Sequence, residues 1–266
     1  MVGGGSFNFD GNNMIINGDC LEELKRMGDN SIDLVVTSPP YDDLRYYKGY
    51  SFDFEGIAKE LFRIVKEGGV VVWVVGDATV DGSETGTSFK QALYFKEIGF
   101  NLHDTMIYQK NSYPFPPSNR YFSVFEYMFI LSKGSPKTTN LARVPTIGQK
   151  HTHSTFRQAD GSMEEDKYEM GKEDRVRDNI WKYDVGYMKS AKEKYVFEHP
   201  ASFPEKLAAD HIKSWSNEGD VVLDIFNGSG TTTKMAYLLK RKYIGIEISK
   251  EYCEIARQRL RQKTLL

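Results

Sequence analysis

The sequence has few cysteines and no long apolar run. Its two cysteines, Cys20 and Cys253, lack the spacing of a disulfide framework or a zinc site, so we expect no metal centre. No apolar run reaches about 18 residues, and the segment from Met1 to Ser6 has neither a basic flank nor an apolar centre. The sequence therefore predicts no membrane span, no membrane partner and no signal peptide, and we expect the protein in the cytoplasm.

The chain also has no marked excess of either charge. Its 35 Lys and Arg residues and 37 Asp and Glu residues leave a formal net charge of −2. This balance argues against a strong nonspecific nucleic-acid binder, although a local basic face can coexist with an acidic surface elsewhere. A length of 266 residues with 40% hydrophobic content is enough for one α/β core and a modest insertion.

Short apolar runs alternate with amphipathic stretches along the first half of the chain. Gly68 and Gly69 are expected to end a helix as C-terminal glycines. The alternation predicts a mostly parallel, twisted α/β sheet flanked by helices. The predicted strands are 14–17, 32–36, 70–75, 102–109 and 123–131, and the predicted helices are 20–27, 54–66 and 88–98.

The run Thr37-Ser38-Pro39-Pro40-Tyr41 follows the apolar strand pattern 32–36. Two prolines cannot continue a sheet ladder, so the chain must leave the strand there with fixed backbone angles. Active sites of α/β sheets lie at the carboxyl ends of strands. The corner, with its hydroxyl, carbonyl oxygens and tyrosine ring, suits a flat ring that bears an amino group. An ordinary strand-ending turn is the alternative interpretation.

A second motif lies far downstream, where a β-branched run ends at Asp224 and a glycine turn precedes a helical pattern. Gly228 and Gly230 can adopt positive φ and allow a ligand close to the backbone. Neither a dinucleotide fingerprint nor a phosphate-binding P-loop fits the spacing. The next strand pattern ends at Glu247, whose carboxylate can accept hydrogen bonds from both hydroxyls of a ribose. The combination favours a nucleoside-like cofactor.

Together these motifs resemble those of the S-adenosyl-L-methionine-dependent amino-methyltransferases of DNA. The resemblance is to the permuted group, in which a T-S-P-P-Y or D-P-P-Y motif, here 37–41, precedes an F-x-G-x-G loop, here 226–230. The segments 15–21 and 199–207 also match family elements. The resemblance implies a Rossmann-like methyltransferase fold with S-adenosyl-L-methionine as cofactor and DNA as partner.

The resemblance implies a cofactor role for residues near the strand ends. Glu247 would bind the ribose, the glycine loop would frame the methionine part, and Asp19 and Cys20 would lie beside the adenine. For Asp19 and Asp224, simple capping of the next helix remains an alternative, as does a plain helix start for the segment after Pro200. The full predicted set is Asp19, Cys20, Thr37, Pro200, Phe203, Asp224, Phe226, Asn227, Gly228, Gly230, Thr231, Thr232 and Glu247.

The catalytic residues implied by the resemblance are Ser38, Pro39, Pro40 and Tyr41. An exocyclic amino nitrogen needs acceptors for its hydrogens, which Ser38 and the nearby carbonyls can supply, while Tyr41 can stack on the base. In the family, serine ahead of P-P-Y goes with cytosine N4 and aspartate with adenine N6. We therefore expect N4 methylation of a flipped cytosine, with N6 methylation of adenine as the alternative.

The polar segment 134–198 interrupts the α/β pattern. The resemblance implies a target-recognition insertion there, between a catalytic half at 1–133 and a cofactor-binding half at 199–266. A cognate restriction endonuclease is a further partner that the family suggests, and a monomer and a homodimer are equally open. The basic residues expected to contact DNA are Lys110, Arg120, Arg143, Lys150, Arg157, Arg175 and Arg177.

Two other function classes deserve comparison. Protein amide methyltransferases carry an N-P-P-Y motif, but there the cofactor loop comes first and asparagine replaces Ser38. A noncatalytic DNA-binding relative would have lost an acceptor or the glycine loop, whereas Ser38, Gly228 and Gly230 are all present. Both classes therefore fit the sequence less well than a DNA methyltransferase.

Overall fold

The computed structural model describes residues 13–40, 52–111, 119–146, 154–166, 173–186 and 204–261. The strands are β1 (Met14–Asn17), β2 (Ile32–Thr37), β3 (Val65–Val75), β4 (Thr79–Val80), β5 (Ser83–Glu84), β6 (Asn101–Lys110), β7 (Phe125–Ser132), β8 (Arg143–Pro145), β9 (Ser154–Arg157), β10 (Met163–Asp166), β11 (Asp174–Val176), β12 (Ile180–Tyr183), β13 (Val221–Asp224) and β14 (Lys242–Glu247). The helices are α1 (Cys20–Arg26), α2 (Phe54–Ile64), α3 (Thr87–Glu97), α4 (Glu205–Trp215), α5 (Thr231–Leu238) and α6 (Lys250–Arg261).

The main sheet has eight strands, in the order β1-β14-β13-β2-β3-β7-β6-β12. The five strands from β1 to β3 are mutually parallel, β7 is antiparallel to both of its neighbours, and β12 is parallel to β6. Each strand and helix predicted between residues 14 and 131 is present. The predicted α/β class is therefore confirmed.

The prediction that Gly68 and Gly69 end a helix is wrong. Helix α2 ends four residues earlier, and both glycines lie inside β3, at the point where its register with β2 shifts. Gly68 has a φ of +78°, and a Cβ there would lie 2.8 Å from the Cβ of Lys137. Its amide donates to the carbonyl of Lys133 at 2.7 Å. Glycine is therefore needed at this position because the strand is irregular there and residues 133–137 pack closely against it.

The sheet is covered on both faces. In β3, Val71, Trp73 and Val75 face the cluster that contains α1, α2 and α3, while the alternate valines of the strand face α4 and α5. Every residue of 70–75 is buried, as expected for a strand enclosed on both sides. The Trp73 indole N–H donates to Gln91 of α3 at 2.8 Å, so its polar atom is satisfied within the core.

Residues 141–178 form a compact unit separate from the rest of the chain. Within this smaller unit, β8 pairs with β11 and β9 pairs with β10, each antiparallel. Strand β12 follows it and joins the edge of the main sheet, although it lies in the segment predicted as an insertion. Its Trp181 and Tyr183 alternate inward and are buried, which explains why this strand belongs to the main core. Within the described ranges, no helix is long and apolar enough to cross a membrane.

Candidate active site

The candidate site lies at one edge of the sheet, where four neighbouring parallel strands end. Strands β1, β14, β13 and β2 end at Asn17, Glu247, Asp224 and Thr37. Parallel strands present their carboxyl ends at the same edge, which is where ligands bind in such sheets. Asn17 ties two of these ends together, because its side-chain amide donates to the carbonyls of Glu247 at 3.0 Å and Ile248 at 2.9 Å.

Asp224 joins the end of β2 to the glycine loop. Its Oδ1 accepts a hydrogen bond from the Thr37 hydroxyl at 2.7 Å and another from the Phe226 amide at 3.1 Å. A parallel connection runs from the Thr232 hydroxyl to the carbonyl of Val36 at 3.1 Å. The two sequence motifs, far apart in the chain, are therefore hydrogen-bonded to each other inside the protein.

The Asp224 carboxyl group is fully buried and carries an altered acidity. Burial raises its pKa from 3.8 to about 6, and hydrogen bonds from Thr37 and Thr232 oppose part of that rise. The predicted alternative, that Asp224 caps the next helix, does not describe α5, whose N-cap is Gly230. Asp224 instead binds the backbone just after its own strand.

Gly228 and Gly230 supply the backbone geometry of the loop. Both have positive φ, +47° and +82°. A Cβ on Gly230 would lie 2.7 Å from the Cβ of Ala256 in α6, so the loop sits directly against that helix. Its amide donates to the carbonyl of Asn227 at 2.7 Å, which closes the turn before α5 begins.

Asn227 fixes the other side of the loop. Its backbone amide bonds to the carbonyl of Ile246, and its side-chain oxygen accepts from the Thr233 hydroxyl at 2.9 Å. A Cβ on Gly245 would approach the Asn227 side chain to 2.6 Å, so β14 needs glycine there. The Asn227 amide nitrogen is buried and has no hydrogen-bond partner among the described residues.

Glu247 presents its carboxylate beside this loop. Oε2 accepts from the Gly228 amide and Oε1 from the Ser249 amide, each at 2.8 Å. Desolvation raises the pKa of this carboxyl group, and the hydrogen bonds from Ser249 and Gly228 oppose the rise. Each carboxylate oxygen can accept more than one hydrogen bond, so Glu247 retains capacity for a ligand.

Asp19 and Cys20 lie where α1 begins, close in sequence to the end of β1. Asp19 is the N-cap of α1 and accepts from the Glu22 amide at 3.1 Å, so the capping interpretation is confirmed. Burial, followed by the nearby Asp19 charge, raises the pKa of the Cys20 thiol to about 12. A role for either side chain beside an adenine remains a prediction.

The predicted catalytic corner begins at the end of β2. Thr37 and Pro39 are buried, while Ser38 and Pro40 are partly exposed. Tyr41 lies outside the described residues, as do Pro200 and Phe203 of the predicted cofactor segment. That segment continues as Pro204, the N-cap of α4, so its described end starts a helix.

The described basic residues of the predicted DNA surface lie in both units. In the larger unit, Lys110 pairs with Glu126 at 2.9 Å and Arg120 donates to the Gly82 carbonyl. In the smaller unit, ion pairs join Arg143 to Asp174 and Arg175 to Asp178. Arg157 is exposed and Arg177 is partly exposed, and Lys150 lies outside the described residues.

A buried ionic cluster beside the glycine loop was not predicted as part of the site. Arg259 of α6 donates to Ser229 and pairs with Glu205, which also pairs with Lys234. The helical spacing of Cys253, Ala256 and Arg259 offered a signal, since an arginine in line with apolar residues on a buried helix face needs a partner inside the protein.

Comparison with known proteins gives a consistent result. The family model described as DNA methylase matches residues 32–258. The chain is 61% identical over 247 residues to the orphan methyltransferase M.BamHII of Bacillus amyloliquefaciens, covering 91% of this chain and 93% of that protein.

Solved structures also match over nearly the whole chain. The PvuII DNA methyltransferase (cytosine-N4-specific) shares the fold, with a TM-score of 0.67 at 23% identity over 96% of this chain and 88% of its own. The putative DNA modification methylase TTHA0409 of Thermus thermophilus, solved in complex with S-adenosyl-L-methionine, matches with a TM-score of 0.60 at 25% identity over 92% of this chain and 93% of its own.

Proposed function

Because the chain belongs to the DNA methylase family and is an S-adenosyl-L-methionine-dependent DNA amino-methyltransferase, we propose that it methylates the N4 amino group of cytosine at specific sites in DNA. The observation that carries the proposal is the hydrogen-bonded junction between the Ser38-Pro39-Pro40 corner and the glycine loop, made through Thr37 and Asp224. In this proposal, the junction keeps the corner that accepts from the amino group next to the loop that binds the methyl donor.

The strand-end residues fit the cofactor. Glu247 has acceptor capacity for a ribose diol, and the buried Asn227 amide nitrogen has no partner among the described residues. Gly228 and Gly230 allow close approach to the backbone, and the start of α5 favours an anionic carboxylate. When bound, S-adenosyl-L-methionine supplies an electrophilic methyl group on a sulfonium.

The protein's task is then to orient an amino group and make its nitrogen nucleophilic. The lone pair of an exocyclic amine is delocalised into the base ring, so acceptors must hold its hydrogens as the nitrogen pyramidalises. We propose that the Ser38 hydroxyl and the carbonyls of the Ser38-Pro39 segment do this, while Tyr41 stacks on the base. The nitrogen becomes acidic as its new bond forms, so no strong base is needed beforehand, and positioning supplies much of the acceleration.

The choice of cytosine depends on Ser38. In the family that the sequence resembles, serine at this position goes with cytosine N4 and aspartate with adenine N6. A base paired in a duplex cannot reach a pocket at the sheet edge, so the target would be flipped out, which costs roughly a few kcal/mol. Methylation of adenine N6 by the same site is the second candidate, because the matched family includes both chemistries.

DNA is the macromolecular partner in this proposal. The recognition role of 134–198 includes Arg143 and Arg175, whose ion pairs with Asp174 and Asp178 are exposed and can open when a phosphate competes for the guanidinium. A cognate restriction endonuclease and a cytoplasmic location stay predictions from the sequence.

Mass spectrometry of nucleosides tests the proposal. Unmethylated plasmid DNA is incubated with the purified protein and S-adenosyl-L-methionine, and N4-methylcytosine and N6-methyladenine are quantified together. We expect N4-methylcytosine, with the yield strongly reduced by Ser38→Ala. N6-methyladenine alone would keep the enzyme class but overturn the cytosine assignment, and neither product on varied DNA would contradict the proposed activity.

A further inference from the structure

The buried side chain of Arg259 contacts the glycine loop. This side chain of α6 is completely buried. Its Nη1 atom donates to the Ser229 carbonyl at 2.9 Å and lies 3.2 Å from the Thr231 hydroxyl oxygen. Ser229 and Thr231 flank Gly230, the N-cap of α5. One guanidinium nitrogen therefore contacts the loop on both sides of its left-handed glycine.

The other end of the guanidinium is anchored by Glu205. Nη2 of Arg259 lies 2.5 Å from Glu205 Oε1, and the same oxygen accepts from Lys234 Nζ at 2.7 Å. Glu205 is the first residue of α4, and Lys234 lies in α5. Helices α4, α5 and α6 are thus joined through a single carboxylate oxygen immediately beside the loop.

The geometry requires arginine at this position. Removal of a guanidinium from water is unfavourable, so a buried arginine must recover that free energy through specific partners. Its rigid planar fork directs Nη1 toward the loop and Nη2 toward Glu205, and a lysine has only one nitrogen to divide between the two. Ala256, three residues earlier in α6, contacts Gly230 from the same helix face.

We propose that Arg259 is a positioning residue for methyl transfer, which fixes the glycine loop in the conformation that receives the amino-acid part of the cofactor. The inference rests on the proposed function, because that function assigns the loop its ligand. Arg259 does not touch reacting atoms in this role. It acts through Ser229 and Thr231, so its loss would loosen the end of the loop around Gly230, while Glu247 keeps the hydrogen bond from the Ser249 amide that holds the adenosine side.

Hydrogen exchange of the cofactor-free protein tests whether Arg259 fixes the conformation of the glycine loop. Arg259→Lys keeps the charge but loses the fork, and Arg259→Met removes both. Arg257→Met is the matched control, because Arg257 lies in the same helix but contacts Glu254 and the Ile15 carbonyl instead of the loop. In both Arg259 variants we expect peptides covering 224–233 to exchange at least about tenfold faster than in the wild type. In Arg257→Met we expect these peptides to exchange as in the wild type. Unchanged exchange of these peptides in the Arg259 variants, or an equal increase throughout the protein, would overturn the inference.

Calorimetric titration with two ligands tests whether Arg259 supports binding of the amino-acid part of the cofactor. S-adenosyl-L-homocysteine carries the amino-acid part and 5′-methylthioadenosine lacks it. For Arg259→Lys we expect Kd for S-adenosyl-L-homocysteine to rise about tenfold or more while Kd for 5′-methylthioadenosine changes less than about twofold. Equal changes for both ligands, or none, would overturn the inference. If the wild-type protein binds neither ligand, the proposed function fails instead.

A second variant keeps the test decisive if the Arg259 variants fail to fold. Glu205→Gln preserves the size of the side chain and its hydrogen-bonding oxygen but removes the charge between Arg259 and Lys234. We expect Kd for S-adenosyl-L-homocysteine to rise by less than in Arg259→Lys, again with little change in Kd for 5′-methylthioadenosine. A folded Glu205→Gln protein with wild-type affinity for both ligands and wild-type exchange at 224–233 would overturn the inference.

Discussion

The Thr37 hydroxyl donates a buried 2.7 Å hydrogen bond to Asp224, across 187 residues of sequence. The same carboxylate oxygen accepts from the Phe226 amide. One oxygen atom therefore fixes the start of the proline corner relative to the start of the glycine loop. The cofactor role of Asp224 stays a prediction, and its contacts with Thr37 and Phe226 also give it a positioning role within the protein.

Replacement of Thr37 tests this link. Thr37→Val keeps the shape but leaves the buried Asp224 with one donor fewer, so we expect a loss of roughly 1.5–3 kcal/mol in the free energy of unfolding, the range for hydrogen bonds to charged groups. Thr37→Ser, which retains the hydroxyl, is the control. Urea denaturation at neutral pH measures both. Equal stability of the Val and Ser variants would mean that the bond contributes little.

The acidity of Asp224 predicts a pH dependence of stability. Its pKa is about 6 in the folded protein and near the ordinary 3.8 when unfolded, so the folded state binds more protons between these values. The stabilising contribution of the protonated form is therefore complete below about pH 4 and is lost as pH rises through about 6. The difference between the two pKa values corresponds to about 3 kcal/mol in the free energy of unfolding.

Asp224→Asn isolates this contribution from other titrating groups, including Glu247. The stability of the variant relative to wild type should increase by about 3 kcal/mol between pH 4 and pH 7, because asparagine has no charge to bury. Urea unfolding of both proteins across this pH range measures the difference. Parallel stability curves would show that Asp224 does not titrate there.

The sequence was most informative where periodicity and special residues coincide. The enclosed strand 70–75 and the loop around Gly228 and Gly230 followed from apolar runs and glycine spacing. The prediction for Gly68 is wrong because a glycine at a strand irregularity has the same local sequence pattern as one after a helix, and only contact with Lys137 distinguishes the two.

Side-chain partners were harder to predict than elements. Arg259 and Glu205, which join α6 to α4, are 54 residues apart in the chain. Nothing local in the sequence specifies such a pair, because helix packing determines it. Likewise, spacing brings Asp224 to a strand end but cannot show that Thr37 is its hydrogen-bond donor.

Glu247 provides a test of the cofactor side of the site. In Glu247→Gln the side chain loses its charge and can accept through only one atom, so one of the amides of Gly228 and Ser249 loses its partner. We expect Kd for S-adenosyl-L-methionine to rise about tenfold to a hundredfold, with a smaller effect on kcat. Exposed Glu251→Gln is the charge-matched control. Unchanged affinity in calorimetry would contradict the assignment.

The two cysteines should be unreactive in the folded protein. Burial raises the pKa of Cys20 to about 12 and that of Cys253 to about 11, so almost no thiolate forms at pH 8. We expect no alkylation by iodoacetamide in an hour at pH 8, and two additions once the chain is unfolded in urea. Intact-protein mass spectrometry counts them. Rapid labelling of Cys20 in native protein would show that its site opens readily.

Gly230 allows backbone strain to be separated from close packing. Both Gly230 and Gly219 have positive φ, but a Cβ meets nothing within 4 Å at Gly219, whereas at Gly230 it lies 2.7 Å from the Ala256 Cβ. Gly219→Ala should therefore cost only the backbone term, roughly 1–2 kcal/mol. Gly230→Ala should cost more and also weaken cofactor binding, because the loop must move away from α6.

A compensating substitution makes this last prediction specific. In Gly230→Ala/Ala256→Gly the new methyl group takes the space that the old one leaves, although a backbone atom of residue 256 remains 3.1 Å away. We expect the double variant to recover part of the cofactor affinity lost by Gly230→Ala, even though glycine in α6 itself costs roughly 1 kcal/mol of stability. Denaturation and calorimetric titration of the four proteins measure both effects. If affinity does not recover, backbone strain at Gly230 rather than contact with Ala256 controls the loop.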